Sequence, residues 1–365
     1  MMSKLVTFGE IMMRLQTKPG RRFRQSIPGD MEVIFGGAEA NVAASFVLLG
    51  GAAAFVTALP ENPIADACIG SLRAIGVDVS NMVRSKEGRL GIYFVEAGAN
   101  QRPSNVVYDR DYSSVSMENA SSYKWGRIFR GADWFHTTGI TPALSKIAAQ
   151  AALNALKKAK KAGLTVSCDL NFRKKLWRWK NGISPSELAS RVMSGLLPFV
   201  DVLIANEEDV GDVLGIKDKA LDTADGSIDV NRYPDIAGQV AKKFPNIKKI
   251  AFTLRESISA THNRWGCMLY DTASGAVHFA PQSNGSYSPY PITDIVDRIG
   301  GGDSFGAALI YALLDDELKQ DDGKAAAFAA AASCLCHTIY GDFNYSTKDE
   351  VLTLMRGSTS GRIVR

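Results

Sequence analysis

Three glycines and an acid, Gly300, Gly301, Gly302 and Asp303, lead into an apolar run that continues at helical length to Leu314. A glycine loop feeding a helix start leaves backbone N–H groups free to approach an anion, and the helix dipole adds positive potential there. Phosphate is the natural guest. Asp303 is expected to stay ionised at the helix start, and so to take a proton from an alcohol while the glycine amides hold a phosphoryl group in transfer. Read alone, the segment is more simply an aspartate capping a helix after a turn, without chemistry. Two nucleotide motifs are excluded. Phe305 stands where a dinucleotide fingerprint needs its third glycine, and Gly323-Lys324 continues into alanine where a P-loop needs Ser or Thr.

A second glycine pair, Gly36 and Gly37, precedes Asn41 and another apolar helix. It would let a polyhydroxyl ligand lie against backbone, with Asn41 as donor and acceptor. Tyr93, Arg102, Tyr108 and Arg110 fall on what read as two adjoining strands. Tyr108 and Arg110, two apart, share a strand face, and a guanidinium fork matches a carboxylate, so this cluster suits an acidic substrate. A solvated strand face with aromatic packing explains it as well. Asp169, Asn171 and Arg173 follow the run Leu164 to Cys168, which reads as a core strand, and open α/β sheets bind ligands at such strand ends. Asn206, Glu207, Glu208 and Asp209 likewise follow Val202 to Ala205, and their carboxylates could hold magnesium through water or simply start a helix. His136, His262, His278 and His337 lack metal-ligand spacing and read as structural.

These segments need a frame, and the chain has the length and apolar content for one: 365 residues, 46% hydrophobic and 22% charged. The net charge of +4, spread over both halves, argues against a nucleic-acid partner. Five scattered cysteines without a Cys-x-x-Cys pair point to a reducing cytoplasm, and Glu10 interrupts any secretory start. Residues 40 to 60 are uncharged, but Asn41, Gly50-Gly51 and Pro60 break the run into a buried helix, a turn and a strand rather than a membrane span. Short β-rich runs, Leu5 to Phe8, Ala53 to Ala58, Trp134 to Thr137, Leu164 to Cys168, Val202 to Ala205 and Lys249 to Leu254, alternate with helical segments such as Ser145 to Lys161. That rhythm predicts an α/β fold with a mostly parallel sheet flanked by helices. Arg14 to Phe35 and Asn81 to Tyr108 break the rhythm and predict a small separate β-sheet. Residues 216 to 234 predict a polar surface excursion before a helix from Tyr233 to Phe244, and Ala325 to Ala332 a closely packed helix.

In order and spacing the segments resemble the ribokinase-like (PfkB) carbohydrate kinases over almost the whole chain. Asp297 with Gly300 to Ser304 matches that family's C-terminal signature, a glycine-rich turn ending in Gly-Asp. Within the family, Gly36 to Asn41, Tyr93 to Arg110, Asp169 to Arg173 and Gly341 to Asn344 are similar to the branch that phosphorylates 2-keto-3-deoxygluconate. The resemblance implies one ribokinase-like three-layer domain over residues 1 to 365, with a β lid contributed by about 14–35 and 81–110. By it Asp303 is the catalytic base, and Gly300, Gly301 and Gly302 form the anion hole. Gly36, Gly37, Asn41, Tyr93, Tyr108, Arg110, Asn171 and Arg173 bind the sugar, with Arg102 a weaker candidate. Asn206, Thr253, Arg255, Gly300 and Gly302 serve ATP, and Glu208 and Asp209 serve Mg2+. The resemblance leaves a monovalent cation open and favours a homodimer without membrane or nucleic-acid partners.

Three segments depart from the family pattern. Asp209 stands where the magnesium motif has Glu, with Glu208 a possible substitute. Thr253 to Ser257 replaces a glycine-containing turn, so that Arg255 could supply charge others take from backbone. Arg298 and Ile299 replace the usual Thr-Thr, and Gly301 the usual alanine. The expected reaction is ATP-dependent phosphorylation of 2-keto-3-deoxygluconate at its 6-hydroxyl. A sibling kinase for fructose, ribose or ketodeoxygalactonate is the alternative, and a catalytically silent sensor on the same fold a third.

Overall fold

The first strand shows how local sequence builds the frame. Lys4–Phe8 alternates its side chains, so that buried Val6 and Phe8 face one layer and buried Leu5 the other. A strand apolar on both faces requires helices on both sides. The computed structural model describes residues 3–216 and 228–357. A nine-stranded sheet runs in the order Val277–Ala280, His262–Asp271, Lys249–Ser259, Val202–Ala205, Thr165–Asp169, Trp134–Thr138, Lys4–Phe8, Ala52–Val56, and Tyr290–Ile292 pairs with His262–Asp271. Pairing is parallel from Lys249–Ser259 through Ala52–Val56 and antiparallel around His262–Asp271. Helices Lys146–Lys161, Pro185–Leu196 and Tyr233–Lys243 cover one face. Helices Ala38–Leu48, Pro63–Ile75, Gly301–Leu314 and Asp322–Cys336 cover the other. The α/β architecture read from the alternation is therefore the one adopted.

A separate four-stranded sheet has the order Glu32–Gly36, Met12–Gln16, Gly91–Glu96, Asn105–Asp109. It comes from the two off-rhythm stretches, with three differences. It begins at Met12, a short helical turn Phe23–Ser26 interrupts the first stretch, and Val83–Ser85 pairs instead with Ala58–Pro60. The run read as one strand, Ala53 to Ala58, is thus two, divided at Thr57. The strand from Lys249 continues past Leu254 to Ser259, because its polar end pairs with His262–Asp271 rather than leaving the sheet. Of the excursion read at 216–234, residues 217–227 lie outside the described residues. Among the described residues no helix is long and apolar enough to cross a membrane.

Helices Gly301–Leu314 and Asp322–Cys336 pack against one another, and the second, which also packs on the sheet and on the helix Lys348–Met355, carries fully buried Ala325, Ala326 and Ala329 to Ala332. Methyl side chains let the two backbones approach, so this contact seats the first turn containing Asp303. Ser333 adds a polar tie, its Oγ donating to Gly301 O at 2.6 Å. An Ala330→Leu substitution should overpack the interior around this fully buried position and cost about 1–3 kcal/mol. Urea unfolding would register it as a lower midpoint at unchanged slope.

Candidate active site

Lys4–Phe8 lies between Ala52–Val56 and Trp134–Thr138, so chain connections leave it in both directions along the sheet. At such a switch point the loops after the strand ends part and leave a crevice. Here the crevice is a cavity of about 1100 Å³, roofed on one side by the four-stranded sheet. Gly37, Asn41, Tyr93, Asn171, Arg173 and Asp303 all line it.

The three glycines of the carboxyl-terminal loop do different work. Gly300 has φ +84°, and a side chain there would collide with the Asp342 carbonyl. Its own carbonyl accepts from Ser304 N at 2.7 Å, opening the helix Gly301–Leu314. A Cβ on Gly301 would sit 2.8 Å from the His337 ring, while Gly302 faces open space. Gly300 and Gly302 line the cavity and Gly301 does not, because it rests on His337. The first-turn N–H groups have no partner within the helix and face the anion-friendly end of its dipole.

Asp303 Oδ2 accepts from Asn41 Nδ2 at 2.7 Å, and Asn41 Oδ1 accepts from Gly37 N at 3.1 Å. Two glycine loops read separately in the sequence are thus joined through one amide. The expectation that Asp303 simply stays ionised needs correction. Burial pushes its pKa up to about 7, with the Asn41 hydrogen bond opposing and the Asp342 charge adding to the rise. Near neutral pH it sits between acid and base.

Behind this pair lies a buried ion cluster that sequence reasoning missed. Arg14, fully buried, donates to Asp342 Oδ1 at 2.8 Å and Asp297 Oδ2 at 2.5 Å, and also bonds Gln16. Asp342 Oδ2 accepts from Tyr93 Oη at 2.6 Å and from Asn41 at 3.5 Å. Asp297 in turn accepts from Gly341 N and Ile299 N. The Gly341 to Asn344 motif signals Asp342, but nothing local announces Arg14. Gly36 lies against Asp342, where a side chain could not fit, and not on the cavity wall. Glu39, also missed, is wholly buried beside Gly37. Its Oε1 accepts from Thr138 N, Thr138 Oγ1 and Thr141 Oγ1, fixing the helix Ala38–Leu48 to the neighbouring strand end.

The aromatic and basic cluster only partly matches expectation. Tyr93 and Tyr108 stack with ring centres 6.2 Å apart, and the Arg110 guanidinium lies 5.3 Å from the Tyr108 ring. Arg110 is already matched, however: Nε donates to buried Glu10 Oε2 at 2.8 Å and Nη2 bonds the same oxygen. Arg102 stays off the cavity wall and holds Glu96 at 3.3 Å. Arg173 is exposed on the wall and forms no salt bridge among the described residues, although it exerts a field on Asp169, Asp209 and Asp303. Asn171 takes a left-handed φ of +37° and leaves a buried Oδ1 without a partner.

Asn206 and Asp209 close on one another: Asp209 N donates to Asn206 Oδ1 at 2.8 Å, and Asn206 Nδ2 to Asp209 Oδ2 at 3.2 Å. Burial pushes Asp209 up to about 7, and burial with the charges of Asp209 and Asp303 holds Asp169 well above the carboxylate range. Glu208 lines the same wall, exposed. Among the described residues no three His, Cys, Asp or Glu side chains form a metal cage. Carboxylates that form no salt bridge among the described residues, beside a roomy polar cavity, nonetheless fit magnesium, which keeps its waters and shares phosphate oxygens. On the strand paired beside Val202–Ala205, Thr253, Arg255 and Ser257 alternate and line the same cavity, as does Arg298.

Comparison with known proteins gives this geometry a context. The sequence pattern of pfkB family carbohydrate kinases matches residues 2–347. A 2-dehydro-3-deoxygalactonokinase of Haloferax volcanii is 33% identical over 99% of both chains. The crystal structure of a Thermotoga maritima 2-dehydro-3-deoxygluconokinase superposes with a TM-score of 0.87 at 46% identity, covering 98% of this chain and 99% of that one. A pfkB family carbohydrate kinase from Listeria grayi gives 0.84 at 31% identity, covering 97% and 100%.

The raised Asp303 pKa has a thermodynamic consequence. Its folded value of about 7 exceeds the ordinary 3.8, so its contribution to stability is full below about pH 4 and is lost as pH rises through 7. Asp303→Asn removes that loss. Thermal denaturation should find the ligand-free variant more stable than the parent at pH 8, by on the order of 3 kcal/mol, and equal to it near pH 4.

Proposed function

The chain belongs to the pfkB family of carbohydrate kinases, and from that premise we propose that it phosphorylates 2-keto-3-deoxygluconate at the 6-hydroxyl, with ATP as donor. The product is 2-keto-3-deoxy-6-phosphogluconate. Asp303 takes the hydroxyl proton, and Asn41 holds the carboxylate in place by its 2.7 Å bond. The first-turn amides after Gly300 stabilise the charge growing on the transferred phosphoryl group. Mg2+, held by Asp209 and Glu208 through water, would neutralise donor phosphates. Asn41, Gly37 and Asn171 take sugar hydroxyls, and the stacked tyrosines form the apolar side of the pocket.

One observation carries the acidic substrate: Arg173 stands on the cavity wall without a salt bridge, with exposed Lys174 next to it. A neutral sugar would leave that guanidinium unmatched, whereas a ketoacid carboxylate completes it. Arg110, paired with Glu10, contributes orientation more than net charge. The 46% identity to a 2-dehydro-3-deoxygluconokinase supports the same reading. A second reading, the galactonate epimer, is favoured by the Haloferax volcanii relative. The two acids differ at one hydroxyl.

An ADP-release assay across ketodeoxygluconate, ketodeoxygalactonate, fructose and ribose tests the assignment. The gluconate acid should give the highest kcat/KM, and a preference for either neutral sugar would refute it. Asp303→Asn should lower kcat roughly 10²–10⁴-fold with sugar-acid binding retained. In the parent, kcat should rise with pH through about 7 as that group ionises. Arg173→Ala should weaken use of the ketoacid far more than any use of fructose; an equal loss would remove the carboxylate argument.

A further inference from the structure

Two arginines that line the cavity, Arg255 and Arg298, form no salt bridge among the described residues. Arg255, exposed on the strand Lys249–Ser259, makes no hydrogen bond or salt bridge among the described residues, though Glu207 feels its field. Arg298, half-buried, is anchored by Nη2 alone, which donates to Ser259 O at 2.8 Å and Asn263 Oδ1 at 2.9 Å. Its Nε is buried without a partner. Both line the cavity. They are close enough that burial and the Arg255 charge together lower the Arg298 pKa, and both charges act on His337. Elsewhere around the cavity, Arg14 and Arg110 are tied to buried carboxylates. Gathering like charges that no carboxylate bonds is unfavourable until a polyanion arrives.

We propose that Arg255 and Arg298 form a diphosphate subsite that grips the β-phosphate of the nucleotide and carries the charge that develops on the departing ADP. This rests on the kinase reading above. Arg298 precedes Gly300 by two residues, so a phosphate adjoining the one held at the glycine loop falls within reach of its guanidinium. During transfer the sugar O6–Pγ bond forms and the bond from Pγ to the bridging oxygen breaks. The electron pair stays on the ADP β-phosphate, and the O6 proton goes to Asp303. Fixed guanidiniums offset that new charge without reorganising.

Calorimetric titration of ADP and AMP into the full-length protein tests this. Arg255→Ala and Arg298→Ala should each weaken ADP about tenfold or more while AMP stays within about twofold, and each should flatten the salt dependence of ADP binding. Arg298→Ala also releases Ser259, whereas Arg255→Ala breaks no bond within the fold and so keeps the test clean. Parental ADP affinity in both variants, or equal losses for ADP and AMP, overturns the subsite. A parent protein that binds neither nucleotide overturns the kinase reading itself.

Discussion

The buried Arg14 guanidinium is the tie on which the site depends. It sits on the small sheet, yet its two carboxylate partners lie on the loop before the glycines and on the loop after the last buried helix. Removing such a charge from water is costly, and only near-complete hydrogen bonding offsets it. The partners cannot drift without leaving an unmatched charge in the interior. Asp342 passes the constraint to Tyr93 and Asn41, and Asn41 passes it to Asp303. Gly300 adds a steric lock, since its bare Cα lies against the Asp342 backbone.

Charge is distributed around the cavity in a way that makes sense only with substrates present. Asp169, Asp209 and Asp303 crowd one wall, each with its pKa raised by burial. Arg255 and Arg298 line the same cavity and form no salt bridge among the described residues. Such an arrangement is unfavourable in the empty protein and becomes favourable when ligands bring the opposite charges. The groups are held in place beforehand, so reorganisation at the moment of reaction is small.

The parts legible in the sequence are those whose signal is local. The carboxyl-terminal glycine loop, the Gly36 to Asn41 loop and the strand ends at Asn171 and Asn206 all line the cavity or bound it. Strand alternation in Leu5 to Phe8 and its counterparts announced helices on both faces. What escaped notice has partners far along the chain: Arg14 meets Asp297 and Asp342 from 283 and 328 residues away. Arg110 read as a free fork because Glu10, 100 residues earlier, gives no local sign of pairing with it. Val83–Ser85 looked like part of the small sheet because pairing partners cannot be read from a three-residue strand.

The sequence by itself determined the layered α/β frame, the loop able to cradle phosphate and the residue types able to move a proton. Those follow from periodicity, from glycine's freedom and from side-chain chemistry, all of which act over a few residues. Only the tertiary structure decided which charges are spent inside the protein and which remain for a ligand. Arg14 and Arg110 are neutralised within the fold, Arg173, Arg255 and Arg298 are not, and Asp303 is tuned toward neutrality by its burial. Electrostatic balance depends on distance and desolvation, and both are set only when distant segments are brought together.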